Sequence, residues 1–328
     1  MPRLSKAMLA LALGVVLAPA GTASAADQQV TIVGAGPGAG AFQLAGAMAE
    51  AVNRTKAGIV MTNRASPGFV ANTRMVETRA ADFALTNGIF VYDAQNGREQ
   101  FKEMRAKNIQ GIGPVTTSWF QMAVRRDSGI KSYEDLKGKR VNYAQKGSNT
   151  EYMTRLIFEW LGIHDSIRKE YMRWDQAATA MTDGNIDAFG IPNPVPSPSI
   201  LQAATSTPVR ILSLPDAITS RFIEMNPGYY KETIKPGSYA GMENEPFTTI
   251  AYTIFAVANG KVDADVVYKV TKATYGPQNR EFLINAFRSW RIGLDQARDN
   301  RFLEQMQGFG LKLHPGAERY WKEVGLLK

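Results

Sequence analysis

No cysteine occurs anywhere in the 328 residues, which excludes a disulfide framework, a thiol nucleophile and a thiolate metal site. Histidine is almost as scarce. His164 and His314 are the two present, too few for a multi-histidine zinc or iron centre, and they leave no credible Ser-His-Asp order. No metal is therefore expected, and on the separate grounds of the second strand's ending no cofactor is either. No basic run of five exists, although Lys and Arg (38) outnumber Asp and Glu (30) for a net charge of +8. The positive charge is scattered among acids, so nucleic acid is not the expected partner. A modest positive field still favours small anions. No stretch of 18 uninterrupted apolar residues is present, so no spanning helix is expected. The 21% charged and 45% hydrophobic content belongs to a folded chain, long enough for two domains or lobes.

What is there begins with a short basic start, Arg3 and Lys6, followed by apolar residues 7–18 and small residues ending in Ala23-Ser24-Ala25. That order is a secretory signal peptide cleaved near Ala25, and it places the mature chain in the periplasm. Residues 28–33 then spell a strand, 41–55 a helix with Leu44, Met48 and Val52 on one face, 59–63 a strand, 68–79 a helix and 83–86 a short buried strand. Extended segments at 115–126 and 248–258 flank a second series, with strands at 141–144 and 188–191 and helices at 150–161 and 177–183. This rhythm of strand, loop and helix gives an α/β fold with parallel strands, arranged as two similar lobes.

Gly34-Ala35-Gly36-Pro37-Gly38-Ala39-Gly40 follows the first strand and precedes a helix. Gly34, Gly36 and Ala39 meet a relaxed dinucleotide fingerprint. The second strand, however, ends Met61-Thr62-Asn63-Arg64 without the acid that would hold a ribose hydroxyl. What survives is a helix N-terminus open to an anion, or else a tight turn that only packs helix on strand. Ser66-Pro67-Gly68-Phe69 and Lys146-Gly147-Ser148-Asn149-Thr150 are two further junctions of this kind. Three such ends at strand carboxyl edges suit a carboxylate bound in a cleft. Pro192 to Pro198 is either a rigid connector or a stiff pocket wall, with Asn193 the polar side chain in reach. Trp119 and Phe120 are expected in core or hinge packing more than in ligand stacking, Trp174 either at the cleft or away from it, and His314 in a capping or packing role. Asp183 and Asp187 have no partner base for acid–base work.

The motif order extends further. It includes Asn72 with Arg74, Ala81-Asp82-Phe83-Ala84-Leu85, the run from Asp127-Ser128-Gly129-Ile130 to Lys139-Arg140-Val141, and the closing His314-Pro315-Gly316-Ala317 with Arg319-Tyr320. Over essentially all the chain beyond residue 25 this resembles the TAXI family of solute receptors that serve tripartite ATP-independent periplasmic (TRAP) transporters. The resemblance implies a type II periplasmic binding protein: two lobes, each a mostly parallel sheet flanked by helices, with the ligand cleft between them. Residues 26–117 and 249–328 would form the first lobe and 118–248 the second. It also implies a receptor rather than an enzyme, monomeric by default, taking a small organic acid or acidic amino acid and delivering it to integral-membrane TRAP subunits. The implied contact positions are Pro37, Gly38, Phe42, Ser66, Phe69, Asn72, Asn87, Gly147, Ser148 and Thr150, to which Asn149 and Asn193 are added. Three departures from the family pattern, Pro67-Gly68-Phe69, Ala41 and Asn87-Gly88-Ile89, make the pocket less polar, which suits an acid with a larger apolar or aromatic part. The alternatives are a receptor of tripartite tricarboxylate transporters and, in another class, an exported flavin or nicotinamide oxidoreductase.

Overall fold

Alternating Val30 and Ile32, with Val33, bury one strand between two others, and the rest of the sheet grows from there. The computed structural model describes residues 27–37, 39–146, 148–239 and 245–327. The proposed leader and its cleavage point, and the ligand positions Gly38 and Gly147, lie outside the described residues. Strand β1 (Gln28–Val33) leads through helix α1 (Gly40–Arg54) to β2 (Ile59–Arg64). Helix α2 (Phe69–Glu77), β3 (Phe83–Asn87) and α3 (Gly88–Asn96) complete a first series. A second follows the long strand β4 (Ile109–Arg125): β5 (Arg140–Asn142), α4 (Asn149–Trp160), β6 (Arg168–Glu170), α5 (Trp174–Thr182), β7 (Ala188–Asn193) and α6 (Pro198–Ala204).

In the first series β1 pairs in parallel with β2 and β3; in the second β5 pairs in parallel with β6 and β7. The spatial orders β2-β1-β3 and β6-β5-β7 repeat one pattern. A carboxylate repeats with it. Asp82 Oδ2 accepts from Thr31 N of β1 at 2.9 Å, and Asp187 Oδ2 accepts from Arg140 N of β5 at 2.8 Å. Both acids stand just before the third strand of their series and satisfy an amide of the first, so Asp187 is a structural acid.

Two long strands join the series. After β8 (Val209–Leu212), α7 (Asp216–Met225) and β9 (Tyr230–Ile234), strand β10 (Phe247–Asn259) pairs antiparallel with β4, with β3 over residues 254–258, and with β9 over 247–251. Strand β4 pairs with β7 from Trp119 onward. The ten strands of the described residues thus form one mixed sheet, parallel in each series and antiparallel where β4 and β10 cross between them. Pro192 is tolerated in β7 because pairing with β5 has ended by Phe189, so its missing N–H leaves no gap in that ladder.

Helices α8 (Ala264–Tyr275), α9 (Arg280–Ala286), α10 (Trp290–Gln296), α11 (Arg301–Gly308) and α12 (Pro315–Glu323) return to the first series. The closing motif is a packing device. His314 Nδ1 accepts from Gly316 N at 3.2 Å, capping α12, and Nε2 donates to Val262 O at 3.1 Å. Arg319 pairs with Asp265 at 2.9 Å, and the Trp321 indole donates to Ile112 O at 2.7 Å. Burial holds the His314 pKa below its ordinary value, in keeping with a neutral ring that both donates and accepts.

Candidate functional site

The loops that leave β1, β2 and β5 each start at the carboxyl end of a parallel strand, the place where open α/β sheets bind ligands. The first two are joined where Ser66 N donates to Ala35 O at 3.0 Å, and the first is closed on itself by Ala39 N donating to Gly36 O at 3.2 Å. Gly34 is needed because a Cβ there would stand 2.1 Å from Ala41 O in the first turn of α1. Gly68, at φ 124°, begins α2 in a conformation that L side chains avoid. No side chain caps either α1 at Ala39 or α2 at Gly68, so the leading amides of both helices have no side-chain partner, at the end where a helix dipole is positive.

The expected contact residues divide by what their polar atoms already do. Asn72 is fully buried, and its Nδ2 donates to Gly34 O at 2.7 Å and Leu85 O at 2.8 Å. Its Oδ1 accepts from Ser66 Oγ at 2.5 Å. Asn72 and Ser66 therefore brace β1, β3 and the second loop from within. Ser148 Oγ accepts from Glu151 N at 3.1 Å as the cap of α4. Asn193 Nδ2 donates to Ser197 Oγ at 3.3 Å. Thr150 is buried, Phe42 and Phe69 are half-buried, and Pro37 is exposed. Asn149 reaches across to the long strand, donating through Nδ2 to the Tyr252 hydroxyl at 3.3 Å.

Asn87 ends β3 as the cap of α3, its Oδ1 accepting from Phe90 N at 3.0 Å. Its Nδ2, fully buried, has no partner. Beyond it lies a patch the sequence reading missed, where the series join. Thr116 and Tyr229 are buried and their hydroxyls are likewise unpartnered. The neighbouring Thr117 is not: its Oγ1 meets the Tyr230 hydroxyl at 3.2 Å and Gln296 Nε2 at 2.8 Å. Trp119 is buried, with its indole donating to Glu232 Oε2 at 2.7 Å, so it packs as expected. Trp174 is 36% exposed, and Tyr171 on the same segment is 38% exposed with Lys146 Nζ 4.8 Å from its ring centre.

A narrow seam beside this patch is lined by Ile89, Phe90, Asp93, Asn149, Tyr152 and Asn226. Asp93 of α3 is 5% exposed and accepts from Asn226 Nδ2 at 3.0 Å. Burial pushes its carboxyl up to about 6, against the lowering pull of Arg98. The folded protein holds this proton where an unfolded aspartate, near 3.8, has released it. Stability therefore falls as pH rises through that window. Asp93→Asn keeps an acceptor for Asn226 and removes the titration. The variant's advantage in unfolding free energy is expected to grow between pH 4 and 7, and a difference that stays flat by chemical denaturation would contradict the burial argument.

The profile of the NMT1-like family matches residues 32–325. Among solved structures, a TctC solute-binding protein from Polaromonas is 14% identical, covering 88% of this chain and 99% of that one at a TM-score of 0.54. PhnD1 from Prochlorococcus marinus, in complex with methylphosphonate, is 9% identical over 85% and 98% of the two chains, TM-score 0.53. A periplasmic sulfonate-binding protein SsuA from Methylobacillus flagellatus is 15% identical over 92% and 96%, TM-score 0.51. The fold is that of the periplasmic binding proteins: two α/β lobes on a mixed sheet flanked by helices.

Proposed function

The chain belongs to the NMT1-like family, and from that membership and the geometry above we propose that it is a periplasmic receptor for a small organic anion, held between the lobes and handed to a membrane transporter. The observation that carries the proposal is the pair of uncapped helix N-termini, α1 and α2, stitched at the strand carboxyl edges. Each terminus contributes about 0.3–1 kcal/mol toward an anion, more when water is excluded. Micromolar affinity needs roughly 8 kcal/mol, so lobe closure and apolar contact must supply the greater part. The boundaries of closure are set at 26–117 with 249–328 for one lobe and 118–248 for the other, so that β4 and β10 form the hinge.

Within this reading the transporter is of the TRAP type and the receptor a TAXI protein, on the strength of the motif order from the glycine loop to His314-Pro315-Gly316-Ala317. Of the twelve proposed contacts, Pro37, Phe42, Phe69, Asn87 and Asn149 keep side chains to offer, with Gly38 and Gly147 as backbone positions. Ser66, Asn72, Ser148, Thr150 and Asn193 support them from behind. Phe42 and Phe69 give the ligand an apolar contact, hence an acid with an apolar or aromatic part. A thermal-shift screen of the purified chain against organic acids and acidic amino acids tests this. A true ligand at a hundredfold excess over Kd is expected to add about 2.7 kcal/mol. Calorimetry then ranks aromatic acids against glutamate. A panel that leaves the melting temperature unmoved overturns the receptor reading for acids, and tight glutamate binding without a response to aromatic acids overturns the apolar one.

A further inference from the structure

Buried polar groups in folded proteins are almost always paired, yet of the eight unpaired side-chain atoms among the described residues three lie on adjoining elements at the crossing of the lobes. Asn87 and Thr116 occupy the register positions on either side of Ile254 in β10. Tyr229 lies edge-on to Tyr252, two residues away along β10, with ring centres 6.2 Å apart. The residue before it, Gly228, abuts the start of α3 so closely that a Cβ would stand 2.4 Å from Ile89 N. The three orphaned groups, Asn87 Nδ2 and the Thr116 and Tyr229 hydroxyls, therefore stand on neighbouring elements, β3, β4 and the entry to β9, around one stretch of β10. Every one is neutral, and Tyr252, Ser118 and Asn149 beside them are neutral too, while the charge acting on Tyr229 is the carboxyl of Asp93 in the adjoining seam, itself paired with Asn226. Such a set offers one amide donor and two hydroxyls that donate or accept, without the charge that a second carboxylate would call for.

We infer that Asn87, Thr116 and Tyr229 form a neutral subsite that binds an uncharged oxygen of the ligand, a hydroxyl or a carbonyl, apart from its acid group. The inference rests on the receptor reading above. A site built to hydrogen-bond such an oxygen discriminates against the analogue that lacks it, because its own buried groups then stay unpaired.

The test is calorimetry with matched acids that differ by one hydroxyl: mandelate and phenylacetate, lactate and propionate, malate and succinate. The wild-type protein is expected to favour the hydroxylated member of a bound pair by about fivefold or more, in line with a buried hydrogen bond. Thr116→Val removes the hydroxyl at constant shape, and Asn87→Asp removes the donor while keeping the cap on Phe90 N. Both are expected to shrink the preference to under twofold, with the ligand-free melting temperature of Thr116→Val unchanged or raised. Equal binding of the pair by wild type, a preference that survives both variants, or a marked fall in the melting temperature of Thr116→Val overturns the subsite while the receptor reading stands. Failure of every acid to bind overturns the receptor reading, and this inference with it.

Discussion

Asn72→Leu is expected to unfold well before the wild type, with a loss of about 3 kcal/mol and a melting temperature lower by roughly 5–10 °C. The side chain is fully buried and its amide serves Gly34 O and Leu85 O, with Val33 O at 3.4 Å, while its carbonyl serves Ser66. Leucine matches it in size but leaves two or three backbone carbonyls and one hydroxyl without partners, each costing about 1–3 kcal/mol when buried. Those carbonyls sit on β1 and β3 at the point where the glycine loop departs, so the loop loses its brace along with the sheet edge. A residue that served the ligand alone would behave otherwise: its loss would weaken binding and leave the ligand-free protein as stable as before. Thermal unfolding without ligand decides between the two, and an unchanged melting temperature would return Asn72 to the list of direct contacts.

That distinction was not open to the sequence. An asparagine in the first turn of a helix after a serine reads equally well as a cap, a ligand contact or a brace, and only the approach of three carbonyls from other strands selects the last. Helices and strands with a clean period were legible. Helix α1 shows Leu44, Met48 and Val52 buried at fourfold spacing, and most of β4 and β10 was legible as extended from their aromatic and β-branched residues. Helix α3 was not. Ile89-Phe90-Val91-Tyr92 carries strand-forming residues, and it turns helical because Asn87 ends β3 and caps Phe90 N. Strand β6 was hidden for the opposite reason: Arg168-Lys169-Glu170 at a sheet edge has no apolar signal to read. For the site, the glycine loops were visible as composition. The orphaned Thr116 and Tyr229 were not, since lacking a partner is a property of tertiary placement. The one hint was a run of three hydroxyls, Thr116-Thr117-Ser118, inside a buried strand.

Gly34→Ala is expected to cost about 1–3 kcal/mol and to weaken ligand binding at least tenfold, because one methyl group sets the distance between β1 and α1. The added Cβ would lie 2.1 Å from Ala41 O and 2.9 Å from the Ala45 Cβ. Ala41 O is backbone in the first helical turn, so no rotamer change relieves the clash, and the start of α1 must move. Leu44, Ala45 and Met48 are packed in the core, so the helix resists, and the cost divides between strain and lost packing. The same displacement carries away the uncapped amides on which the proposed anion binding depends. Gly36→Ala is the control, because the nearest atom to its added Cβ is Ser66 O at an ordinary 3.8 Å. It is expected to change stability by no more than about 0.5 kcal/mol. Equilibrium denaturation of the two variants separates glycine as spacer from glycine as mere loop composition. Equal losses would mean that the approach of strand and helix is not what the first glycine protects, and the anion-binding geometry built on it would fall as well.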